Sequence, residues 1–176
     1  MSESLQIAWS GEPQRARELA DFFAQNVGPE YISHSELQGP RALSATIWSD
    51  NLPDLLRREI EPRLHDTRDR APAATSRPVA VAEEGGAVAA LALVTFAGGA
   101  PIPFAVVEDL VVAPDRRGRG IGKALMDWIA AEAAARGIRR LFLESGERNH
   151  RAHHFFEREG FETCSIVMMR SLDPPG

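Results

Sequence analysis

Residues 106–122 read VVEDLVVAPDRRGRGIG. An apolar, β-branched run ends at Val112-Ala113-Pro114. A short loop follows that carries Arg116, Arg117, Gly118, Arg119, Gly120 and Gly122, and an amphipathic run starts at Ile121 and continues to Arg136. This order predicts strand, glycine-rich loop, helix. Glycines let the main chain turn tightly and bring its N–H groups close to a ligand. A helix N-terminus adds unpaired N–H donors and the positive end of the helix dipole. No Ser, Thr, Asp or Asn stands immediately before Ile121 to cap those donors, so either water or a bound phosphate takes them. With the arginines, these groups make an anion site suited to a pyrophosphate.

On either side of that stretch the chain alternates between strand and helix patterns. Leu5-Gln6-Ile7-Ala8-Trp9 alternates as a short strand, and Ala16, Leu19, Ala20, Phe23 and Val27 share one helical face that stops at Gly28-Pro29. Residues 31–47 lack a clean period and are expected to be irregular. A second helix has Pro53 in its first turn and Leu55, Leu56, Ile60 and Leu64 as its stripe, with Pro62 expected to end or bend it. Residues 65–77 read as a polar loop. Residues 78–82 and 87–96 form a hairpin around Glu83-Glu84-Gly85-Gly86. After the strand 104–112 and the helix from Ile121, Gly137 serves as the C′ glycine. A strand over 138–144, a short helix over 152–158, a last strand over 161–172 and a tail over 173–176 complete the chain.

At 176 residues, 44 % apolar and 26 % charged, the composition is that of a soluble globular protein, most simply one domain over 1–176. A formal net charge of −5 argues against nucleic acid as partner. The lone Cys164 rules out an internal disulfide and fits a reducing compartment. No apolar run reaches membrane-spanning length, and residues 1–11 lack the basic start and apolar core of a signal peptide, so a cytoplasmic location is expected.

The glycine-rich loop alone is compatible with several nucleotide-binding folds. A P-loop needs Gly-Lys-Ser/Thr, and Gly122-Lys123-Ala124 lacks the hydroxyl. A dinucleotide fold needs an acidic residue closing the next strand, a place that Glu144 imitates. A second motif decides. Arg117-Gly118-Arg119-Gly120-Ile121-Gly122 is similar to the Arg/Gln-x-x-Gly-x-Gly/Ala signature of the GNAT superfamily of acyl-CoA-dependent N-acyltransferases. Asn149 with residues 152–161, AHHFFEREGF, resembles that family's terminal Asn…Ala-x-x-Phe-Tyr-x-x-x-Gly-Phe. The resemblance is good over 79–170 and loose over 1–78.

The resemblance implies an α/β (α+β) fold. Its central sheet is mixed, mostly antiparallel and twisted, splayed at the acyl-CoA site and flanked by helices. Residues 1–78 would shape the acceptor site, and 79–172 would form the hairpin and the acyl-CoA-binding core. Acetyl-CoA is then the co-substrate, with no metal. Pantetheine would pair with Leu110, Val111 and Val112. The pyrophosphate would meet the N–H groups of Arg117, Gly118, Arg119, Gly120, Ile121, Gly122 and Lys123, with Arg117 and Arg119 adding charge, and Asn149 and Phe156 would border the pantetheine arm. An amine would attack the thioester directly in a ternary complex, with two proton transfers and a strand N–H supporting the carbonyl oxygen. The implied acceptor is a primary amine on a small metabolite. Acetylation of a protein N-terminus or lysine, and an acyl-CoA-binding regulatory domain without catalysis, stand as alternatives. Homodimers are common in the superfamily, so a homodimer is compatible with the resemblance.

Glu108, two residues before Leu110, is the candidate base. Its neighbours Val106, Val107 and Leu110 are apolar, which is expected to raise its pKa. Asp109 is expected to point to the opposite face of the strand, in a structural role. The family's usual acid is the Tyr of Phe-Tyr, where this chain has Phe156. Either the thiolate leaves without a dedicated acid, or Tyr31, Ser145 or His153 substitutes, or turnover is slight. Tyr31, the only tyrosine, and Glu36 are candidate acceptor-binding residues, suited to a cationic amine. His150, His153, His154 and Glu157 have helix-face spacing but read as a solvated face and not a metal site. Cys164 and the three tryptophans read as core, Trp48 being the one able to line a pocket.

Overall fold

The computed structural model describes residues 4–67 and 71–172. In chain order the elements are β1 (Leu5–Ser10), α1 (Ala16–Asn26), α2 (His34–Gln38), β2 (Ala42–Ser44), β3 (Ile47–Trp48), α3 (Leu52–Asp66), β4 (Thr75–Ser76), β5 (Val79–Glu84), β6 (Ala87–Ala97), β7 (Phe104–Val112), α4 (Ile121–Ala135), β8 (Arg140–Leu143) and α5 (His150–Arg158). The main sheet runs β1-β5-β6-β7-β8, with β4 paired to the far end of β6. All its pairings are antiparallel except β7 with β8. This is the mixed, mostly antiparallel sheet expected from the sequence.

Two apolar layers sandwich the sheet. Leu19, Ala20 and Phe23 of α1 with Leu56, Ile60 and Leu64 of α3 bury Val79, Val81, Leu91, Leu93 and Val111 on one face. Ile121, Leu125, Met126 and Ile129 of α4 bury Ala80, Ala90, Ala92, Val94, Ala105 and Val107 on the other. The alternation along β5 and β6 thus assigns residues strictly to opposite layers.

Two irregularities in β7 create the site. The first is a bulge. Leu93 faces Asp109 while Val94 faces Val107, which leaves Glu108 as the extra residue. Ala105 and Val107 therefore face α4, whereas Asp109 and Val111 face α1 and α3. The second is an early end to pairing. β8 accompanies β7 only from Phe104↔Arg140 to Val107↔Leu143, so residues 108–112 have an open edge on that side. This is the splay that the family resemblance implies.

The structure departs from the sequence reading in several places. Residues 31–47 are not wholly irregular. Ser33 and Glu36 form a reciprocal capping box that starts α2, and β2 pairs with β3. Pro62 does not end α3, which continues to Asp66. Pro62 is exposed, and the buried Arg63 and Leu64 hold the last turn against the sheet. The polar loop contributes β4, while its residues 68–70 lie outside the described residues, as do 173–176. Residues 161–172 form no strand, pairing with no strand among the described residues, and Cys164 is exposed.

Candidate active site

The loop ahead of α4 has the conformation that its glycines permit. Gly118 and Gly120 have φ of 76° and 81°, a region unfavourable for residues with a Cβ. Gly120 is the N-cap of α4, and no side chain caps that end. A Cβ on Gly122 would lie 3.4 Å from Val112 Cγ2 and 3.6 Å from the Phe155 ring, so the glycine keeps the groove wall low. A groove of about 660 Å³ runs over this turn. Leu110, Val111 and Val112 line it, as do Arg117, Gly118, Gly120, Ile121, Gly122, Lys123, Asn149 and Phe156. Its inner end meets a cavity of about 30 Å³, room for one water, bordered by Tyr31, Glu36, Glu108, Leu110, Ser145, Asn149 and Phe156. The Ser145 hydroxyl is buried there without a hydrogen-bond partner. An uncapped helix end, a glycine cradle and an orphaned hydroxyl all fit a phosphate-bearing ligand with a polar arm.

Arginines at the loop divide their work. Arg117 donates to the carbonyl oxygens of Val112 (3.1 Å) and Asn26 (3.2 Å), fixing the loop to β7 and α1. Arg119 turns away from the groove and pairs with Glu84 at 2.8 Å, as Arg116 also does through its own guanidinium. The side-chain charge of Arg119 is therefore engaged elsewhere, and its place at the site is through the backbone. Sequence reasoning missed Arg148, Arg151, Phe155 and Arg158, which also line the groove. Arg151, Phe155 and Arg158 follow the i, i+4, i+7 spacing of one α5 face, a signal that was present in the sequence. Asn149 Oδ1 accepts from Ala152 N at 3.3 Å and caps α5, so its amide group stays directed by that cap.

The carboxylates beside the cavity belong to one chain of ion pairs. Glu108 accepts from Arg63 and, at 2.8 Å, from the Thr95 hydroxyl. Arg63 donates to Glu59 at 3.0 Å, Arg41 to Glu59 at 2.6 Å, and Arg41 to both Asp109 oxygens at 3.1 Å. Glu36 accepts from Ser33 N at 2.8 Å and from Ser33 Oγ at 2.7 Å. Arg41 approaches it at 3.4 Å. Tyr31 donates to Asp109 Oδ1 at 2.9 Å, and its oxygen accepts from Leu110 N at 3.2 Å. The bulge at Glu108 is the cause. It turns both adjacent carboxylates toward the arginines of the α1 and α3 layer, so Asp109 does not take the opposite face that simple alternation predicted.

The acidities follow from these partners, and that of Glu108 is the opposite of the one expected. Burial alone would raise the Glu108 pKa, but the Arg63 charge and the hydrogen bonds from Arg63 and Thr95 outweigh it and hold the carboxyl below its usual range. The apolar setting expected for Glu108 is absent. Asp109 is fully enclosed. Burial pushes its pKa up to about 6, with Arg41 pulling it down and Glu36 and Glu59 pushing it up. Burial and the Asp109 charge keep the Tyr31 phenol well above its ordinary pKa, so it stays protonated.

Other candidates fall outside this cluster. Trp48 packs beside Tyr31 at 6.2 Å between ring centroids and donates to Gly28 O, away from the cavity wall. Trp9 and Trp128 stack at 4.7 Å beside the α4 layer. His154 pairs with Glu157 at the surface, and among the described residues no group of three or more His, Cys, Asp or Glu gathers to hold a metal. No described helix is long and apolar enough to cross a membrane.

Comparison with known proteins gives concordant results. The family model described as Acetyltransferase (GNAT) family matches residues 42–161. Streptothricin acetyltransferase from Streptomyces lavendulae is 43 % identical over 60 residues, which is 34 % of this chain and 32 % of that protein. Aminoalkylphosphonate N-acetyltransferase from Salmonella typhimurium is 36 % identical over 66 residues, 38 % of this chain and 43 % of that protein. The chain therefore spans well under half the length of these curated relatives. Among solved structures, a tetramutant of the BH1408 protein from Bacillus halodurans superposes with a TM-score of 0.70 at 20 % identity, covering 95 % of this chain and 99 % of that one. The aminoglycoside N-acetyltransferase AAC(6')-Iy in complex with CoA gives 0.64 at 16 % identity, with 98 % of each chain covered. At these identities the structural likeness speaks for the fold.

Proposed function

Because the chain belongs to the GNAT family of acetyltransferases, we propose that it moves an acetyl group from acetyl-CoA to a primary amine of a small metabolite. The observation that carries this reading is the continuity of the site. The uncapped end of α4, the open edge of β7 and a small acidic cavity follow one another along a single groove. The N–H groups of residues 118–123 hold the diphosphate, the Arg117 N–H being bonded to Pro114 O, Leu110, Val111 and Val112 pair with the pantetheine arm, and Asn149 and Phe156 close over it. The curated relatives named for streptothricin and aminoalkylphosphonate support this substrate class.

The chain's own groups supply the proton chemistry. The acceptor arrives as an ammonium and must lose one proton before it can attack. Glu108, held ionised, attracts the cation and passes that proton to solvent through water. Leu110 N–H, given to the Tyr31 oxygen at 3.2 Å, holds that phenol beside the thioester. A second proton leaves the nitrogen as the amide forms. Tyr31 takes it while handing its own to Asp109, and the return of that proton through Tyr31 protonates the departing sulfur. Asp109, with its pKa near the working range, is suited to hold a proton briefly, as Glu108 is not. Tyr31 thus fills the role left empty by Phe156. Glu36 with Tyr31 borders the amine.

Thiol release from acetyl-CoA in the presence of a mixed amine panel tests the proposal. Turnover with one or more small amines supports it. Turnover only with peptides would move the assignment to protein acetylation, and tight coenzyme binding without turnover would favour a regulatory acyl-CoA-binding domain.

A further inference from the structure

The opening between β7 and β8 carries a carboxylate on each side. The ladder ends at Val107↔Leu143, so Glu108 and Glu144 are the first residues past the last pair, one on each strand. Both line the small cavity at the inner end of the groove. The side chain of each is 31 % exposed, so a ligand reaches both from solvent. Gly146 fixes the chain beside Glu144. Ile32 crosses there so closely that a Cβ on Gly146 would lie 2.5 Å from Ile32 O.

The two carboxylates differ in their partners. Glu108 pairs with Arg63 and stands 3.6 Å from Arg77. Glu144 has no Arg or Lys partner among the described residues. It accepts from the Ser35 hydroxyl and meets His34 Nε2 at 3.2 Å. Ser33 Oγ lies 2.7 Å from both Glu36 and Glu144, and a hydroxyl has one proton to give, so one of those carboxylates goes short. Hydroxyls carry no net charge, and an imidazole carries one only when protonated. Arg148, close by in sequence, donates to Pro29 O at 3.2 Å and to Ala45 O. Across the connected cluster, Glu36, Glu59, Glu108, Asp109 and Glu144 face Arg41, Arg63 and Arg77. Five carboxylates thus meet three guanidiniums, which leaves two negative charges over while His34 is neutral. One of them matches the ammonium that is to be acetylated. The other, at Glu144, has no counterpart among the described residues.

We propose that the acceptor carries two ammonium groups, one placed for acetylation beside Glu108 and Tyr31 and the second held by Glu144. The proposal rests on the acetyl-transfer reading and narrows its substrate class to diamines. Neighbouring strands lie about 4.8 Å apart and these two diverge, so nitrogens roughly 5–8 Å apart suit the two sides of the opening. 1,4-Diaminobutane has that reach. The second ammonium gives Glu144 the charge-assisted hydrogen bond that its hydroxyl partners do not supply.

The test uses the full chain, acetyl-CoA and four probes: 1,4-diaminobutane, 1-aminobutane, 4-amino-1-butanol and 4-aminobutanoate. They differ only at the end remote from the reacting nitrogen. The kcat/KM for the diamine is expected to exceed that for 1-aminobutane and for the amino alcohol by about tenfold or more, with 4-aminobutanoate the poorest. Glu144→Gln should bring the ratio of diamine to 1-aminobutane close to one. Glu144→Lys should reverse the order in favour of 4-aminobutanoate. Each comparison is a ratio within one protein, so a general loss of activity or stability cancels. A wild type without preference for the diamine, or a preference that Glu144→Gln leaves intact, overturns the proposal while acetyl transfer stands. No turnover of any of the four overturns it as well, and the mixed amine panel then decides whether acetyl transfer itself fails.

Discussion

Tyr31 donates its hydroxyl proton to Asp109 at 2.9 Å while the same oxygen accepts the N–H of Leu110 at 3.2 Å. One phenol therefore joins a carboxylate whose pKa burial raises to a backbone donor at the splayed strand. Tyr31 comes from the turn after α1, 78 residues from Asp109, and reaches the site because α1 packs Phe23 against it at 5.6 Å.

Removing the hydroxyl should impair the chemical step. Tyr31→Phe is expected to lower kcat about 100-fold, a usual loss for a positioned proton donor, while the KM for acetyl-CoA changes little. Phe156 borders the same cavity. A Phe156→Tyr change placed in the Tyr31→Phe chain should recover part of the lost rate. Steady-state kinetics of the two variants check this, and an unchanged kcat in Tyr31→Phe removes Tyr31 from the mechanism.

The rate should fall on the acid side. Asp109 has a pKa of about 6, raised from that of a free aspartate, so below that pH it already carries a proton and can take no other. The groups facing it are Arg41, Tyr31, Glu36 and Glu59. A profile of kcat/KM against pH should show a limb near 6 that is lost in Asp109→Asn. Glu108, held below the usual carboxylate range, stays ionised there and contributes no such limb. A limb that persists in Asp109→Asn and vanishes in Glu108→Gln would transfer the role to Glu108.

The arginine between the two acidic groups of α3 and β7 is structural. Arg63 is 2 % exposed and bonds Glu59 and Glu108. Arg63→Met removes a buried counter-charge from two part-exposed carboxylates that Arg41, Arg77 and Thr95 still contact, and should cost about 1.5–3 kcal/mol. Adding Glu108→Gln relieves one of the stranded charges and should return part of that stability. Urea unfolding of the wild type, the two single variants and the double variant measures the coupling. Strict additivity would mean that the pair is not felt.

The parts of the fold that depend on local pattern were legible in the sequence. The run from strand 104–112 through Gly118 and Gly120 to α4 was recognisable because alternation, glycine and helical period succeed one another, and Gly137 ends α4 with a φ of 76°. The parts that depend on partners were not. Whether Asp109 faces α3 is decided by a bulge against β6, and no property of Asp109 or its neighbours encodes that register. Arg63 continues the apolar stripe of Ile60 and Leu64, so its burial was readable by position, but its two carboxylate partners lie on different elements. The segment 161–172 has the composition of a strand, which the sequence displays, while no strand ladder includes it among the described residues.

Calorimetric titration of the full chain with coenzyme A and with acetyl-CoA bears most directly on the site. Saturable binding of one coenzyme per chain is expected with both. Gly120→Val should weaken it roughly tenfold, because a β-branched residue held at a left-handed φ costs about 1–2 kcal/mol where the loop must stay cupped. No heat with either form of the coenzyme from the folded wild type would contradict the claim that the turn ahead of Ile121 grips its diphosphate.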